Sequence, residues 1–159
     1  MSKKTEKKGF SFNNLDTVGL SNAGAKVYII DPTNDKPTSL YIEILGADSD
    51  AFKDKIDEFK ERNKLLKLKS RNSAVEVSEK EIDARVIELM QVGIVGWGDD
   101  ETGENTWEVD GNFLQCNPAN IELVFNDRRF SRIKDQVNTE INTLANFTNG
   151  NARTTLPNS

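Results

Sequence analysis

The feature that most constrains the fold is the stretch of residues 89–98, where a helical apolar pattern gives way to three glycines around a tryptophan. Such a run predicts a backbone that turns sharply or is closely approached by a neighbouring segment. The glycines lack the spacing of a phosphate-binding loop, and they follow a helix instead of a strand. We interpret the run as a helix stop at Gly93 and a bend that lets Trp97 pack. None of its side chains can act as an acid, a base or a nucleophile.

Composition excludes several functional classes. The chain has 159 residues, a formal net charge of −5, one cysteine and no histidine. The length predicts one domain, and the missing histidine removes the commonest general base and metal ligand. Acidic charge without a basic stripe argues against nucleic-acid binding, and no apolar run reaches the roughly 18 residues of a membrane helix. Cys116 has no disulfide partner, which is typical of a reducing cytoplasm, and we interpret it as a packed residue.

Two strands open the predicted domain. Residues 26–30 and 39–45 are rich in β-branched and aromatic side chains and flank a cluster of turn formers at 31–37. This pattern predicts a β-hairpin with a long loop. In the second strand Leu40, Ile42 and Ile44 alternate with Tyr41 and Glu43, so one face is expected to be buried.

Four helices are predicted by their caps and apolar spacing. One of about 20 residues follows the N-cap at residues 48–49, a second begins at the capping box of Ser78, and a third begins at residues 117–118. The last is the most regular and is expected to end near Phe147. The predicted apolar stripes are, helix by helix, Phe52, Ile56 and Phe59; Ile82, Val86, Leu89 and Met90; Ile121, Leu123, Val124 and Phe125; and Phe130, Ile133, Val137, Ile141 and Leu144.

The expected fold class is therefore α+β, with an N-terminal antiparallel β-hairpin or small sheet packed against about four helices. Residues 26–147 are predicted to form a single domain, with a loop-rich hairpin between the helices. Residues 1–25 are expected to be a flexible or partly ordered N-terminal arm, whose apolar residues could add a strand. Residues 148–159 are polar and are expected to be a disordered C-terminal tail. The apolar residues of the arm are Phe10, Phe12, Leu15 and Leu20.

An acidic run lies between the two tryptophans and just beyond them. Residues 99–110 contain six carboxylates and no positive charge. The spacing of an EF-hand calcium loop is absent, so we interpret the run as a solvated, exposed turn. The remaining acids are interleaved with lysines on helix faces, as on solvated helices. No catalytic residue, metal site or cofactor is expected.

Four short motifs follow one another in a distinctive order. They are the strand at residues 40–46 that leads into Ala-Asp-Ser, the helix exit at 92–97, the run at 111–121, and the closing helix at 132–147. Their order resembles that of the tail assembly chaperones of long-tailed bacteriophages. The acidic loop after Trp97 is longer than the family pattern, and both tails lie outside it.

The resemblance implies a non-enzymatic protein made in the host bacterial cytoplasm. It would bind the tape measure protein and help the tail-tube protein to assemble. From composition we expect no binding to nucleic acid or membrane, and a homo-oligomer is left open. Aromatic anchors with a charged rim are usual at protein–protein sites, so we hypothesise a recognition surface near the acidic loop. Its partner-binding residues would be Trp97, Trp107, Phe113, Asp99, Asp100 and Glu101.

Other interpretations remain. Both tryptophans could instead close the core, in which case Trp107→Ala would cost stability rather than only partner binding. The chain could also be a structural virion component of the tail or head–tail connector. A third alternative is an enzyme or metal-dependent regulator that uses the acidic loop.

Overall fold

The computed structural model describes residues 9–69 and 78–148. The predicted C-terminal tail and the first eight residues of the predicted arm lie outside this part, apart from Thr148. Within these two ranges, five α-helices and two antiparallel sheets, of three and two strands, confirm the predicted α+β class. In chain order the elements are α1 (Thr17–Ala23), β1 (Ala25–Asp31), β2 (Lys36–Ile44), α2 (Asp50–Lys69), α3 (Glu79–Gly93), β3 (Ile94–Asp99), β4 (Thr106–Val109), β5 (Asn112–Gln115), α4 (Pro118–Phe125) and α5 (Ser131–Ile141).

The larger sheet has the strand order β1-β2-β3, and β1 and β2 form the predicted hairpin. The predicted alternation along β2 is confirmed, since Ile42 and Ile44 are completely buried and Leu40 is partly buried. Ile42 pairs with Val27 on one side and with Trp97 on the other. The buried face of the sheet therefore continues across all three strands.

The glycine-rich run is a strand, β3, and the predicted bend is wrong. The helix does stop at Gly93, where a Cβ atom would collide with the ring of Phe52. On β3 the side chains of Glu43 and Tyr41 from β2 cross over Gly96 and Gly98 in the same way. The glycines are thus needed for close approach between neighbouring strands, as predicted, and they do not interrupt the strand.

The predicted loop-rich hairpin is formed by β4 and β5. The turn between them contains Asp110 and Gly111, both with positive φ, at 53° and 83°. Two successive positive φ angles match the twist of a tight antiparallel hairpin, and Asp-Gly is a favoured sequence for them. The register places Trp107 opposite Leu114 and Glu108 opposite Phe113.

The predicted helix starts are confirmed by their caps. The Ser78 hydroxyl accepts a hydrogen bond from the backbone N–H of Glu81 at 3.1 Å at the start of α3. The Asn117 side chain accepts one from the N–H of Asn120 at 2.8 Å, directly before Pro118 in α4. These caps satisfy amide groups that have no partner within the helix.

The last helix is shorter than predicted, since α5 ends at Ile141 and a separate 3-10 turn, Leu144–Phe147, follows. The Asn142 side chain donates to the carbonyl of Asn138 at 2.8 Å, and the Thr143 hydroxyl donates to the next carbonyl at 2.7 Å. These bonds add to those that the backbone N–H of Asn142 donates to the same two carbonyls, and together they close the helix end. The break carries Phe147 into the core and leaves Leu144 43% exposed.

The apolar stripes are only partly correct. Ile56, Ile82 and Leu123 are 41%, 50% and 59% exposed, whereas Ile87, which was not predicted to lie in the core, is buried. The fully buried large side chains are Trp97, Phe125, Ile42, Ile44, Met90, Ile121 and Val137. The core therefore lies between the larger sheet and one face each of α3, α4 and α5.

Residues 9–24 do not form the extra strand that the apolar residues of the arm could have supplied. Phe12–Leu15 is a 3-10 turn, and α1 follows it with the Asp16 carboxylate accepting from the N–H of Gly19 at 2.9 Å. The carbonyl of Ser21 in α1 accepts from the N–H of Gly46 at 3.0 Å, which connects α1 to the end of β2. Within the described ranges, none of the helices is long and apolar enough to cross a bilayer.

Candidate functional site

Trp97 and Trp107 form a buried pair between the two sheets. They are 2% and 5% exposed, and their rings stack with centroids 4.2 Å apart and planes 8° from parallel. The Trp97 indole donates to the carbonyl of Leu114 at 2.8 Å, and the Trp107 indole donates to the carbonyl of Gly98 at 3.0 Å. This burial favours the alternative in which both tryptophans close the core. The burial leaves neither ring on an exposed recognition surface. A Trp107→Ala variant with nearly unchanged stability would not be consistent with this burial.

Asp100 connects the acidic turn to the sheet instead of facing only solvent. It accepts hydrogen bonds from the hydroxyl of Tyr28 and, at 3.2 Å, from the ammonium of Lys26. The bond from Tyr28, with that from Lys26, holds the pKa of Asp100 below its usual value. Asp99 closes the turn by accepting from the N–H of Glu101 at 2.9 Å, while Glu101 itself is exposed.

The carboxylates of the acidic run point to different partners. Asp100 faces Lys26, whereas Asp110 pairs with Arg129. In residues 9–69 and 78–148 there is no group of three or more acidic or cysteine side chains placed to hold a metal ion. The run therefore shows no convergent set of oxygen ligands within that part of the chain.

Phe113 is the one aromatic residue of the hypothesised set that is strongly exposed, at 70%. It lies on β5, next to Leu114, whose partner across the hairpin is Trp107. Since adjacent strand residues point to opposite faces, Phe113 points away from the tryptophan side of the hairpin. The structure therefore separates Phe113 from the two tryptophans with which it was grouped.

Cys116 is half-buried beyond the end of β5. Burial, with a smaller effect of the Glu43 carboxylate, raises the pKa of the Cys116 thiol to about 11. Because the thiolate is the nucleophilic form, this shift keeps the thiol mostly protonated at neutral pH and lowers its reactivity. The observation agrees with its interpretation as a packed residue.

An apolar groove of about 370 Å³ lies where the β1–β2 turn, β4 and the start of α5 meet. The charged residues that line it are Asp31, Glu108 and Arg129. Its size falls within the range of about 300–1,000 Å³ that is typical of small binding sites. Most of its apolar wall is formed by Ile29, Leu40, Trp107, Val109, Phe130 and Ile133.

Arg129 holds one end of this groove in place. Its guanidinium donates to both carboxylate oxygens of Asp110 at 3.0 and 2.8 Å, and to Asp127 at 2.7 Å. These bonds lower the pKa of both carboxyl groups. They connect the turn of the β4–β5 hairpin to the 3-10 turn that precedes α5, and a two-pronged pair of this kind fixes orientation as well as distance.

Gln136 connects α5 to β1 on another side of the groove. Its side-chain oxygen accepts from the N–H of Ile30 at 2.8 Å, and its side-chain nitrogen donates to the carbonyl of Ile30 at 3.2 Å. The amide therefore takes the place of a strand partner where the pairing of β1 with β2 is irregular. The relative position of the β1 and α5 walls is thereby set.

The sequence does not reveal this groove. Phe130 and Ile133 are predicted as core residues of the last helix, but they are only partly buried and line the groove. The other walls come from the first hairpin, the second hairpin and α4, so no short motif contains the site. Its chemistry is that of an apolar surface with a few carboxylates, which suits the side chains of another polypeptide better than a small polar ligand.

Comparison of the chain with protein-family models, curated proteins and solved structures gives no match.

Proposed function

We propose that this chain is a non-enzymatic tail assembly chaperone of a long-tailed bacteriophage, acting in the host cytoplasm, which binds the tape measure protein and assists tail-tube assembly. Two lines of support differ in kind. The order of sequence motifs resembles that family, and the apolar groove between Ile29 and Phe130 offers a site for a client polypeptide. The groove is the observation that carries the proposal.

The groove has the apolar surface that is needed to bind an aggregation-prone helical client. A holdase needs an apolar surface that accepts side chains from an amphipathic segment, together with enough net charge to keep the complex in solution. The connections through Arg129 and Gln136 hold the groove walls before a client arrives. A preformed site avoids the entropic cost of ordering its own residues upon binding.

The test is the aggregation of the tape measure protein, followed by light scattering with and without the purified chain. Val109→Glu places a carboxylate in the groove. It is expected to raise the concentration of the chain that is needed to suppress aggregation by about tenfold or more. Leu123→Glu adds the same charge at a site that is 59% exposed and does not line the groove, so it is the matched control.

The outcomes separate the site from the function. If the folded Val109→Glu variant protects as well as the unmodified chain, the groove is not the client site. If the unmodified chain itself gives no protection and does not bind the tape measure protein, the chaperone proposal is wrong. Phe113→Ala should weaken binding only if the exposed face of the β4–β5 hairpin also contacts the client.

A permanent place in the virion is the alternative, and the exposed Phe10 and Phe12 favour it because they could contact neighbouring subunits. Protein analysis of purified particles distinguishes the two functions. A chaperone is expected to be absent or far below the copy number of tail subunits. Stoichiometric amounts in particles would instead support the structural role.

A further inference from the structure

Residues 9–16, which we call the aromatic segment, carry three exposed large apolar side chains, and one of them, Phe12, is the most exposed of the described part. Phe12 is 83% exposed, Phe10 is 73% exposed and Leu15 is 56% exposed. The segment has a defined local shape, since the Ser11 hydroxyl accepts from the N–H of Asn13 at 3.3 Å and Asp16 caps α1. Apolar residues clustered in this way on a surface mark an interaction site.

The aromatic segment and the apolar groove lie at opposite ends of the larger sheet. The segment leads into α1, which is bonded through Ser21 to Gly46 just beyond the end of β2. The groove is lined by Ile29 and Asp31 at the other end of β1. Seven residues of β-strand span roughly 20 Å, so the segment would have to run back along the whole sheet to reach the groove of its own chain.

The residues that precede the aromatic segment are opposite in charge to the groove. The residues that precede the aromatic segment include four lysines, Lys3, Lys4, Lys7 and Lys8, against one glutamate. Asp31 and Glu108 line the groove, and the Asp31 carboxylate accepts from the N–H and the hydroxyl of Thr33. The one cation among the described lining residues, Arg129, is paired with Asp110 and Asp127. The basic residues that lead into the aromatic segment are therefore complementary to the groove in charge.

We propose that two copies of this chain exchange their aromatic segments, so that Phe10 and Phe12 of each copy occupy the apolar groove of the other. The exchange is two-fold symmetric, with the same contact made twice. Each buried phenylalanine removes about 150–250 Å² from water, so four of them with the groove walls approach the roughly 1,000 Å² of a specific interface. The dimer does not depend on the identity of any client.

The first experiment measures the mass of the full-length chain by light scattering across a concentration series. The unmodified chain is expected to form a dimer of twice 17.8 kDa, and added salt is expected to weaken it because the lysines contribute. The double variant Phe10→Ser/Phe12→Ser and the groove variant Val109→Glu should each weaken dimerisation at least tenfold. Leu123→Glu should leave it unchanged.

Mixing gives a sharper test. The segment variant retains an intact groove and the groove variant retains an intact segment, so a mixture should form a heterodimer with one of the two contacts. A second measurement uses Phe12→Cys and Val109→Cys in a Cys116→Ser background. Under mild oxidation these two proteins should become cross-linked to one another, and this test does not depend on the fold tolerating a buried charge.

Three results would overturn the proposal. The first is a monomer at all concentrations up to about 100 µM, and the second is a dimer that neither the segment variant nor the groove variant weakens. The third is a cross-link between residues 12 and 109 within one chain when both cysteines are placed in it. Because the aromatic segment and a client would occupy the same groove, they would compete for it, and Val109→Glu affects both. The segment variant Phe10→Ser/Phe12→Ser keeps the groove intact, so its protection of the tape measure protein separates failure of the dimer from failure of the chaperone proposal.

Discussion

Two pairs of aromatic residues in this chain have opposite environments. Trp97 and Trp107 are stacked and at most 5% exposed, whereas Phe10 and Phe12 are at least 73% exposed. All four lie in polar or glycine-rich stretches of sequence. The tryptophans are buried because paired strands bring their rings together, while the phenylalanines have no strand partner. Whether an aromatic residue in such a stretch is buried therefore depends on long-range strand pairing, and the polarity of its sequence neighbours does not predict it.

The largest expected effect comes from breaking the tryptophan pair. Trp107→Ala removes a ring that stacks on Trp97 and meets the edge of Phe125 with centroids 6.4 Å apart. Large-to-small changes of buried aromatic residues cost about 3–5 kcal/mol, which we expect to see as a loss of unfolding free energy in urea followed by circular dichroism. Phe113→Ala, in the same hairpin, is the control and should change stability by less than about 0.5 kcal/mol. Equal effects would contradict the assignment of Trp107 to the core.

Glycine-to-alanine substitutions next to each aromatic pair compare how closely other atoms approach the backbone in the two regions. In Gly98→Ala the new Cβ would lie 2.7 Å from the carbonyl oxygen of Glu104 and also against the Tyr41 ring, so β3 must shift. Overpacking of this kind costs about 1–3 kcal/mol. Gly9→Ala, next to Phe10, meets no atom within 4 Å and should be close to neutral. Thermal unfolding of both variants measures the difference. If Gly98→Ala is as stable as the unmodified chain, β2 and β3 are packed less closely than the structure shows.

Asp100→Asn is expected to have a smaller effect that depends on pH. Hydrogen bonds from Tyr28 and Lys26 keep the folded pKa of Asp100 below the unfolded value, so this carboxylate stabilises the fold above about pH 4 and loses that effect as the pH falls through the folded pKa. The pair with Lys26 is partly exposed, which limits the loss at pH 7 to about 0.2–1 kcal/mol. Urea unfolding at decreasing pH should show the difference between variant and unmodified chain shrinking. A difference that grows on acidification would contradict this.

The smallest effect is expected from Phe12→Ala. Its ring contributes little to the core of its own chain, so the unfolding free energy measured at a concentration that favours the monomer should change by less than about 0.5 kcal/mol. The same substitution should weaken self-association. A loss of more than about 1 kcal/mol in the monomer would show that the aromatic segment packs on its own domain and would remove the contrast with the tryptophans.

Much of the fold follows from local sequence signals. Ser78 and Asn117 mark helix starts because each side chain accepts a hydrogen bond from a free backbone N–H in the first turn of its own helix. Gly93 marks a helix end. The alternation along β2 is likewise local. Such signals depend on residues within one or two turns of chain, and the structure follows them closely.

The remainder depends on contacts between distant residues. The glycines of β3 look like a bend until Tyr41 and Glu43, more than 50 residues earlier, are placed across them. Ile56 lies between the buried Phe52 and Phe59 of α2 and is still 41% exposed, while Ile82, near the start of α3, is 50% exposed. Which part of a helix face is covered depends on the distant elements that pack on it. The groove has the same origin, since Ile29, Val109 and Ile133 belong to three separate elements.

The stacked indoles have a consequence for spectroscopy. The chain has two tryptophans, and both belong to the one pair that joins β3 to the β4–β5 hairpin. Excitation selective for indole therefore reports on that single junction, while events at the aromatic segment, which has only phenylalanine rings, produce no direct signal. A red shift of the emission would indicate that water has entered between the two sheets. An unchanged spectrum during association would mean that the junction stays closed while the periphery rearranges.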